Sequence, residues 1–498
     1  MKAQLMYRET DVRAAALPAF IQEMLTRDLE LGIVFSAMAK GDEIIRRAAE
    51  RAFFAGLDSP EAIGYRQSVL RDCIKNPAMV RASYGLTLEA LEKQKKGWWW
   101  FDKNRPLTAL FSNAVDSLTM LTGMLKELRD IADRAAGSFA SQGFTALWSM
   151  LQRELDDGYF AQVQEHLAEV KFRDGMLISA RLGSYNQGVG YVLRRRDRKG
   201  FKRKWFFAPS FALASRDEAG AQDFNKRRER ALQEAANVLA QSAEHIVGFF
   251  TMLRDELAFY VGCLNLHDGL KAIGAPVAFP SPLQRHPRRR EVQGLYDISL
   301  AIQKQSPATG SGLSARDQSL WVITGANQGG KSTFLRSIGQ SQLMMQCGLF
   351  VAAREYRGHL CNGVFTHFKR EEDAALVSGK LDEELSRMDA IAQRLAPGAL
   401  VLFNESFSAT NEREGSEISR QVTDALIHSG MEVFCVTHLY DFASSYFDRH
   451  LPDATFLQAE RKEDGRRTFR IVPGRPSQTG FGDDLYQRIF ADEPGPQP

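Results

Sequence analysis

The sequence is poor in cysteine and contains no long apolar run. The 498 residues include five scattered cysteines without a Cys-x-x-Cys pair: Cys73, Cys263, Cys347, Cys361 and Cys435. This usage suits a reducing compartment and argues against a disulfide framework or a cysteine-based zinc site. No segment approaches the roughly 20 apolar residues that span a bilayer, and the charged N-terminus is unlike a secretory signal. We therefore expect a cytoplasmic protein with no membrane partner.

Charge of either sign is also not in excess. The 64 lysines and arginines against 61 aspartates and glutamates leave a formal net charge of +3. The total charge therefore does not identify a partner, and local patches must be considered instead. Hydrophobic residues at 44% and charged residues at 25% are ordinary for a globular protein, and the length predicts about three domains.

One stretch matches the phosphate-binding pattern G-x-x-x-x-G-K-[ST]. Its residues are Gly325, Ala326, Asn327, Gln328, Gly329, Gly330, Lys331 and Ser332, followed by Thr333. The apolar run 320–324 predicts a buried strand before it, and residues 333–338 have helical spacing, which is the context that this motif needs. Backbone N–H groups of the loop and the helix N-terminus would surround phosphates. Lys331 would reach the β- and γ-phosphates of ATP, and Ser332 would ligate Mg²⁺.

Two later apolar runs each end in polar residues. Residues 399–403 predict a buried strand that ends in Asn404 and Glu405. Phosphate-loop ATPases usually have Asp-Glu here, with the aspartate on Mg²⁺ and the glutamate on the attacking water. We expect Glu405 to be catalytic and Asn404 to serve at the metal with weaker Mg²⁺ binding and slow hydrolysis, because an amide lacks charge. His438, after the strand 433–436, would sense the γ-phosphate or orient the water.

The N-terminal part of the chain has helical periodicity. Apolar spacing predicts a helical core segment over 1–105 and long helices over 106–170, with helices returning over 217–284. The aromatic run 97–101 fits two interpretations. It either anchors one helical layer on the next, which we favour, or forms a stacking platform for bases, which the preceding lysine pair keeps open.

A strand-rich, basic insert interrupts the helices over 171–216. Residues 176–178, 185–188 and 191–193 predict short strands around glycine turns. The most basic run of the chain follows, interleaved with aromatic residues, and consists of Arg194, Arg195, Arg196, Lys199, Lys202, Arg203 and Lys204. This pattern predicts contact with nucleic-acid phosphates without sequence specificity. The alternative is a solvated loop. Further on, residues 306–314 predict a polar loop.

The motifs together resemble the ATPase domain of the MutS family of DNA mismatch repair proteins. The resemblance depends on residues 324–333, 348–353, 403–405, 408–415 and 437–438, whose order and spacing match. It covers about residues 290–490. The helical arms and the insert resemble the lever and clamp of that family more loosely, through residues 185–191 and 252–257.

The resemblance implies a fold and an assembly. The expected fold is an α/β C-terminal P-loop domain of the ABC class over 285–490, preceded by a mostly α-helical lever and core region with a small β-rich clamp insert. Residues 491–498 are expected to form a frayed tail. ATP and Mg²⁺ are the implied cofactors. A homodimer would have composite sites in which Ser378 of each subunit acts on the other subunit's triphosphate, and Tyr296 falls where a family side chain packs on adenine.

The predicted function is that of a MutS-type ATPase. ATP binding and slow hydrolysis would close a dimer and clamp it on mismatched or branched DNA in repair or recombination. The first hundred residues lack a Phe-x-Glu wedge, so we expect the N-terminal mismatch-recognition domain to be missing. Two alternatives remain: a nucleotide-binding scaffold with little hydrolysis, and a clamp for structured RNA or ribosomes.

Overall fold

The computed structural model of the protein describes residues 1–8, 17–98, 107–172, 175–195, 210–370, 379–462 and 466–476. The chain forms two compact units. The helical unit consists of Met1–Gln4 and Asn76–Leu257, and the α/β unit consists of Leu5–Lys75 and Ala258–Pro498. None of the described helices combines the length and the apolar character of a membrane span.

The first four helices belong to the α/β unit. They are α1 (Ala19–Asp28), α2 (Leu31–Ala39), α3 (Glu43–Ala55) and α4 (Pro60–Lys75). The Asp42 side chain accepts hydrogen bonds from the amides of Ile44 and Ile45, which explains why α3 begins there. α3 ends at Ala55, before Gly56, and α4 ends at Lys75, before Asn76 and Pro77.

Four further helices and most of a fifth form the helical unit. They are α5 (Pro77–Trp98), α6 (Leu107–Ala135), α7 (Gln142–Glu154), α8 (Asp157–Val170) and α9 (Glu218–Ala272). The apolar residues of α6 lie mostly three and four positions apart and are buried, because residues at this spacing share one helix face. Ser141 and Asp156 cap the N-termini of α7 and α8 by accepting hydrogen bonds from Phe144 and Tyr159.

A two-stranded hairpin follows α8. Its antiparallel strands are β1 (Leu177–Leu182) and β2 (Gly188–Arg194). The strand predicted over 185–188 is wrong for its first three residues, which lie in a tight turn between β1 and β2. Tyr185 and Asn186 have φ values of 61° and 58°. Because a β-strand requires negative φ, these residues turn the chain instead of extending it.

The remaining elements of the α/β unit alternate between strands and helices. They are β3 (Ser281–Leu283), β4 (Arg289–Leu295), α10 (Ile298–Lys304), β5 (Ser311–Arg316), β6 (Leu320–Thr324), α11 (Lys331–Gln346), β7 (Glu355–His359), β8 (Val364–Phe368), α12 (Lys380–Ala392), β9 (Leu400–Asn404), α13 (Glu412–His428), β10 (Glu432–Val436), α14 (Tyr440–Asp448), β11 (Ala454–Arg461) and β12 (Arg467–Pro473).

These strands form two sheets. The larger has the order β12-β11-β6-β10-β9-β8, and the smaller has the order β3-β7-β4-β5. In the larger sheet only β12 is antiparallel to its neighbour, and β6, β8, β9 and β10 are largely buried, as expected for parallel strands covered by helices. The mixed α/β class predicted for this region is therefore confirmed. The polar loop predicted over 306–314 is wrong after residue 310, because β5 pairs with β4 through backbone groups.

A buried polar network joins the two sheets. Glu432 of β10 accepts hydrogen bonds from Arg290 of β4 at 3.0 Å, from His359 of β7 at 3.0 Å and from Trp321 of β6 at 3.2 Å. The Arg290 guanidinium also donates to Tyr356 at 2.8 Å. All five side chains are buried. The network therefore places a paired charge in the core of the α/β unit, where a low dielectric strengthens the interactions between partners.

Candidate nucleotide-binding site

The glycine loop, residues 325–330, connects the buried strand β6 to the start of α11. β6 is parallel to β10, and β10 is parallel to β9, so their carboxyl ends meet at one edge of the sheet. In this register Val436 lies opposite Ile323 on one side and Asn404 on the other. The three motifs that sequence analysis selected therefore come together at this edge, although up to about a hundred residues separate them along the chain.

Two glycines of the loop adopt backbone angles that other residues rarely take. Gly325 has a φ of 112° and Gly330 a φ of 93°. A third, Gly329, has no room for a side chain, since an added Cβ would lie 2.7 Å from the Cβ of Ala459 and 2.9 Å from the carbonyl oxygen of Ala326. The loop thus has the close backbone turn that lets N–H groups approach an anion.

Lys331 is buried beside this loop. Its Nζ donates hydrogen bonds to the carbonyl oxygens of Gly325 at 2.8 Å and Ala326 at 3.0 Å. Burial lowers the pKa of Lys331 to about 8, which the charge of Glu405 opposes and the charge of Arg467 reinforces. No carboxylate of the described residues forms an ion pair with this amine. The site therefore fits an anionic group, because phosphate oxygens would supply the negative charge that the ammonium lacks.

Ser332 and Asn404 contribute oxygen atoms next to the loop. The hydroxyl of Ser332 donates to Oδ1 of Asn404 at 2.9 Å. Within the described part of the chain, no cluster of three or more His, Cys, Asp or Glu side chains is arranged to hold a metal ion by itself. Mg²⁺ at nucleotide sites needs few protein ligands, because phosphate oxygens and waters fill the remaining positions. The two side chains therefore fit Mg²⁺ bound together with phosphates.

Glu405 and His438 form a pair at the same edge. Nε2 of His438 lies 2.7 Å from Oε1 of Glu405. The hydrogen bond from His438 lowers the pKa of Glu405, burial opposes this shift, and the charges of His438 and Lys331 lower it further. The carboxylate is thus ionised at neutral pH. Glu405 also has a φ of 55°, which costs a residue other than glycine about 1–3 kcal/mol and is typical of functional positions.

Two residues selected by the resemblance are not brought to the loop by any described contact. Tyr296 is only 2% exposed, and its hydroxyl donates to the carbonyl oxygen of Pro276 at 2.9 Å. Its amide donates to Ala352 at 3.0 Å. Its role at adenine stays a prediction from resemblance. Ser378 lies outside the described residues, and helix α12 begins at Lys380 with Asp382 and Glu383 in its first turn.

The predicted nucleic-acid contacts are described only in part. Arg194, at the end of β2, donates to the hydroxyl of Ser179 at 2.9 Å. Arg195 pairs with Glu169 at 2.9 Å and with Glu165 at 3.3 Å on α8. These exposed pairs position the hairpin base but contribute little stability. The other predicted contacts lie outside the described residues: Arg196, Lys199, Lys202, Arg203 and Lys204, as do the aromatics 99–101.

Sequence reasoning missed two features near the loop. The first is the hairpin of β11 and β12, which packs Ala459 against the loop and carries Arg467, whose Nη1 donates to Oε1 of Gln328 at 3.1 Å. These residues belong to no local sequence motif. Arg467 is simply the first residue of β12, the strand after β11.

The second feature is His367 at the end of β8. It joins the hydroxyl of Ser406 at 2.7 Å to the carbonyl oxygen of Glu384 at 3.0 Å. Burial and then the nearby charge of Arg387 lower its pKa to about 3, so the imidazole is neutral. Nε2–H donates to the carbonyl oxygen of Glu384, and the Ser406 hydroxyl, which donates to the backbone carbonyl oxygen of His367 at 2.5 Å, lies beside Nδ1. His367 therefore joins the residue after Glu405 to α12, the helix that follows the predicted signature serine.

Comparison with known proteins gives two family matches. Residues 58–273 match the MutS2 N-terminal domain, and residues 321–485 match MutS domain V. An Endonuclease MutS2 of Anaeromyxobacter sp. (strain Fw109-5) is 24% identical over 479 residues, which cover 90% of this chain and 55% of that protein. An Endonuclease MutS2 of Lactiplantibacillus plantarum is 25% identical over 295 residues, 57% of this chain and 35% of that protein.

A third relative matches only the C-terminal part. The DNA mismatch repair protein MutS of Thermotoga petrophila is 30% identical over 156 residues, which cover 31% of this chain and 19% of that protein. The chain thus spans between about a fifth and about half of the length of these relatives. The two domain matches follow each other along the chain, and the second includes the glycine loop, Glu405 and His438. On this evidence the chain belongs to the MutS family.

Proposed function

We propose that this protein is an ATP-dependent DNA-binding ATPase of the MutS type, with an ABC-class nucleotide domain over residues 285–490. The observation that carries the proposal is the convergence at one sheet edge of the glycine loop, Lys331, the Ser332–Asn404 pair and the Glu405–His438 pair. Each of these groups has a defined task in phosphoryl transfer to water, and few other functions need all of them together.

Lys331 binds the triphosphate in this mechanism. It exchanges the carbonyl oxygens of Gly325 and Ala326 for β- and γ-phosphate oxygens, and the new negative charge raises its pKa above the value of about 8 that burial imposes. The backbone amides of the loop and the first turn of α11 add further donors. Binding therefore converts a poorly paired buried amine into a paired ammonium.

Ser332 and Asn404 hold the metal in the same proposal. Mg²⁺ would neutralise charge on the β- and γ-phosphates. The hydroxyl and amide oxygens are already 2.9 Å apart and would face it together. Because Asn404 has no charge, the site holds the metal less firmly than an Asp-Glu site would, and hydrolysis is slow.

Glu405 orients the attacking water. Its carboxylate is ionised and is held by His438, so it can accept a hydrogen bond from a water molecule in line with the γ-phosphate. Its lowered pKa makes it a weak base, which suits orientation and polarisation of the water more than full proton removal. His438 is close enough to the same position to respond to the γ-phosphate.

Closure of a homodimer would transmit the nucleotide state. Ser378 of one subunit would complete the triphosphate site of the other. The helices of residues 1–105 would form the core segment, of which the first four belong to the α/β unit. Lever helices would lie over 106–170 and 217–284, with a clamp-like insert over 171–216 between them. The long helices α6 and α9 and the hairpin support this assignment. The basic run that begins at Arg194 would contact phosphates of duplex, mismatched or branched DNA.

ATP turnover tests the proposed chemistry. The wild-type protein should hydrolyse ATP in the presence of Mg²⁺, and Glu405→Gln should lower the rate by about a hundredfold while ATP binding persists. Glu417→Gln, which changes an exposed glutamate of α13, is the matched control and should leave the rate unchanged. A protein that binds no ATP would refute the proposal as a whole.

One observation favours a second candidate, a nucleotide-binding scaffold with little hydrolysis. That observation is Asn404, which removes the usual negative charge from the metal position. The scaffold requires ATP binding with a residual turnover that Glu405→Gln does not change. The same pair of variants therefore decides between the two functions.

A competition assay tests the nucleic-acid partner. Mispaired duplex, branched DNA and structured RNA should compete for one labelled branched DNA at several salt concentrations, because phosphate-driven affinity falls steeply with salt. Preference for mispaired or branched DNA over unmodified duplex supports the MutS-type function. Preference for structured RNA would instead support a clamp for RNA or ribosomes.

A further inference from the structure

The hairpin of β11 and β12 places Arg467 at the edge of the sheet that carries the glycine loop. β11 is parallel to β6, so the end of β11 lies at the same edge as the end of β6. β12 is antiparallel to β11, and Arg467 lies opposite Arg461 in this register. Arg467 is therefore the first residue of β12 at the carboxyl edge of the sheet, where the loop begins.

The hairpin packs directly on the loop and limits how far Arg467 can move from it. An added Cβ at Gly325 would lie 3.1 Å from the amide nitrogen of Ala459, and one at Gly330 would lie 3.2 Å from the carbonyl oxygen of Phe469. Both strands of the hairpin thus contact the loop backbone on either side of Gly329. The backbone at the start of β12 is therefore held in a fixed position relative to the loop and to any phosphates that bind there.

The Arg467 guanidinium has a neutral partner. Nη1 donates to Oε1 of Gln328 at 3.1 Å, and Gln328 is itself an exposed residue of the loop. None of the described carboxylates forms an ion pair with Arg467. Lys331 and Arg467 thus lie at one loop with no carboxylate among the described residues paired to either, an arrangement that a polyanion would stabilise.

We propose that Arg467 is a phosphate-binding residue of this site, which releases Gln328 and donates to a phosphate oxygen of the bound nucleoside triphosphate from the β12 side of the loop. This inference rests on the proposed nucleotide-binding function of the loop. Arg467 complements Lys331, because a guanidinium presents several donors in a plane and pairs with phosphate in a bidentate manner, whereas an ammonium acts as a point charge.

Equilibrium binding of ATP to the full chain with Mg²⁺ tests this inference. Arg467→Gln should weaken ATP binding at least tenfold, which is the scale of one lost charge-assisted hydrogen bond. Arg467→Lys should fall between this variant and the wild type. Arg316→Gln, which removes an exposed arginine at the end of β5, is the matched control and should leave the affinity unchanged.

Two further measurements separate a phosphate contact from a structural role. The urea midpoint of Arg467→Gln without nucleotide should equal that of the wild type, because the described side-chain hydrogen bond that the variant loses, to Gln328, is exposed; a structural role of Arg467 would lower this midpoint. Binding of adenosine, which carries no phosphate, should be the same in Arg467→Gln and in the wild type, whereas a distorted site would weaken adenosine and ATP alike.

The outcomes distinguish this inference from the proposed function. If wild-type protein binds ATP and Arg467→Gln binds it equally well, Arg467 does not contact phosphate, while the function of the loop stands. If wild-type protein does not bind ATP, the proposed function itself fails. If Arg467→Gln does not fold, Arg467→Lys decides the question: an ATP affinity of Arg467→Lys equal to that of the wild type would overturn the inference.

Discussion

Glu432 should be the most sensitive single carboxylate in the α/β unit. Its side chain accepts hydrogen bonds from Arg290, His359 and Trp321 and is about 4% exposed, while Arg290 is 1% exposed. Glu432→Gln preserves the shape of the side chain but removes its charge. The variant leaves the Arg290 guanidinium buried without a counter-charge, and breaking a buried pair in this way costs about 3–5 kcal/mol of unfolding free energy.

The pH dependence gives a similar magnitude. Burial raises the pKa of Glu432, but the charge of Arg290 and the hydrogen bond from His359 outweigh it and lower the pKa from 4.5 to about 2. That difference corresponds to roughly 3 kcal/mol. Because the folded-state pKa is the lower one, this stabilisation is complete above about pH 4.5 and is lost as the pH falls toward 2. The difference in unfolding free energy between the wild type and Glu432→Gln should therefore decrease as the pH falls from about 4.5 toward 2.

The loss of unfolding free energy in Glu432→Gln is measured by urea denaturation followed by circular dichroism, and by hydrogen exchange of peptides from β6 and β10. Arg290→Met and the double variant Arg290→Met with Glu432→Gln complete a cycle in which the combined loss should be at least 2 kcal/mol smaller than the sum of the single losses. Glu417→Gln, in an exposed pair with Arg420, should change stability by less than about 0.5 kcal/mol. A loss below about 1 kcal/mol for Glu432→Gln would refute the assigned role of the buried charge.

Three further predictions concern the nucleotide site. Asn404→Asp should raise ATP turnover and lower the Mg²⁺ concentration needed for half-maximal rate about tenfold, because a carboxylate binds the cation more strongly than an amide; an equal or lower rate would count against the assigned role. ATP affinity should fall by up to tenfold per pH unit above about pH 8, because the free protein then loses the Lys331 proton that phosphate binding requires. A Lys331→Met variant whose ATP affinity shows the same pH dependence would contradict this. Ser406→Ala should lower the unfolding free energy by about 1–2 kcal/mol, since it removes the hydroxyl that contacts both the backbone carbonyl oxygen and Nδ1 of buried His367. An unchanged urea midpoint would show that these contacts contribute nothing.

The sequence alone determined the local parts of the nucleotide site. A five-residue apolar run predicted β6, the glycine pattern predicted the turn after it, and helical spacing predicted α11. Glu405 and His438 could be selected because they lie one and two residues after apolar strands, and the carboxyl ends of parallel strands share an edge. The predicted strand and helix are confirmed because strand length and helical periodicity are properties of neighbouring residues, as is the conformational freedom of glycine in the turn between them.

Only the tertiary structure decided which distant groups meet. The chain separates Arg290 from Glu432 by 142 residues and Gln328 from Arg467 by 139, and nothing in either local sequence encodes the pairing. The short strand β5 was missed because its Gly- and Ser-rich segment is extended by hydrogen bonds from β4, which are made by backbone groups common to all sequences. Such pairings depend on sheet order and register, which the packing of the whole unit selects.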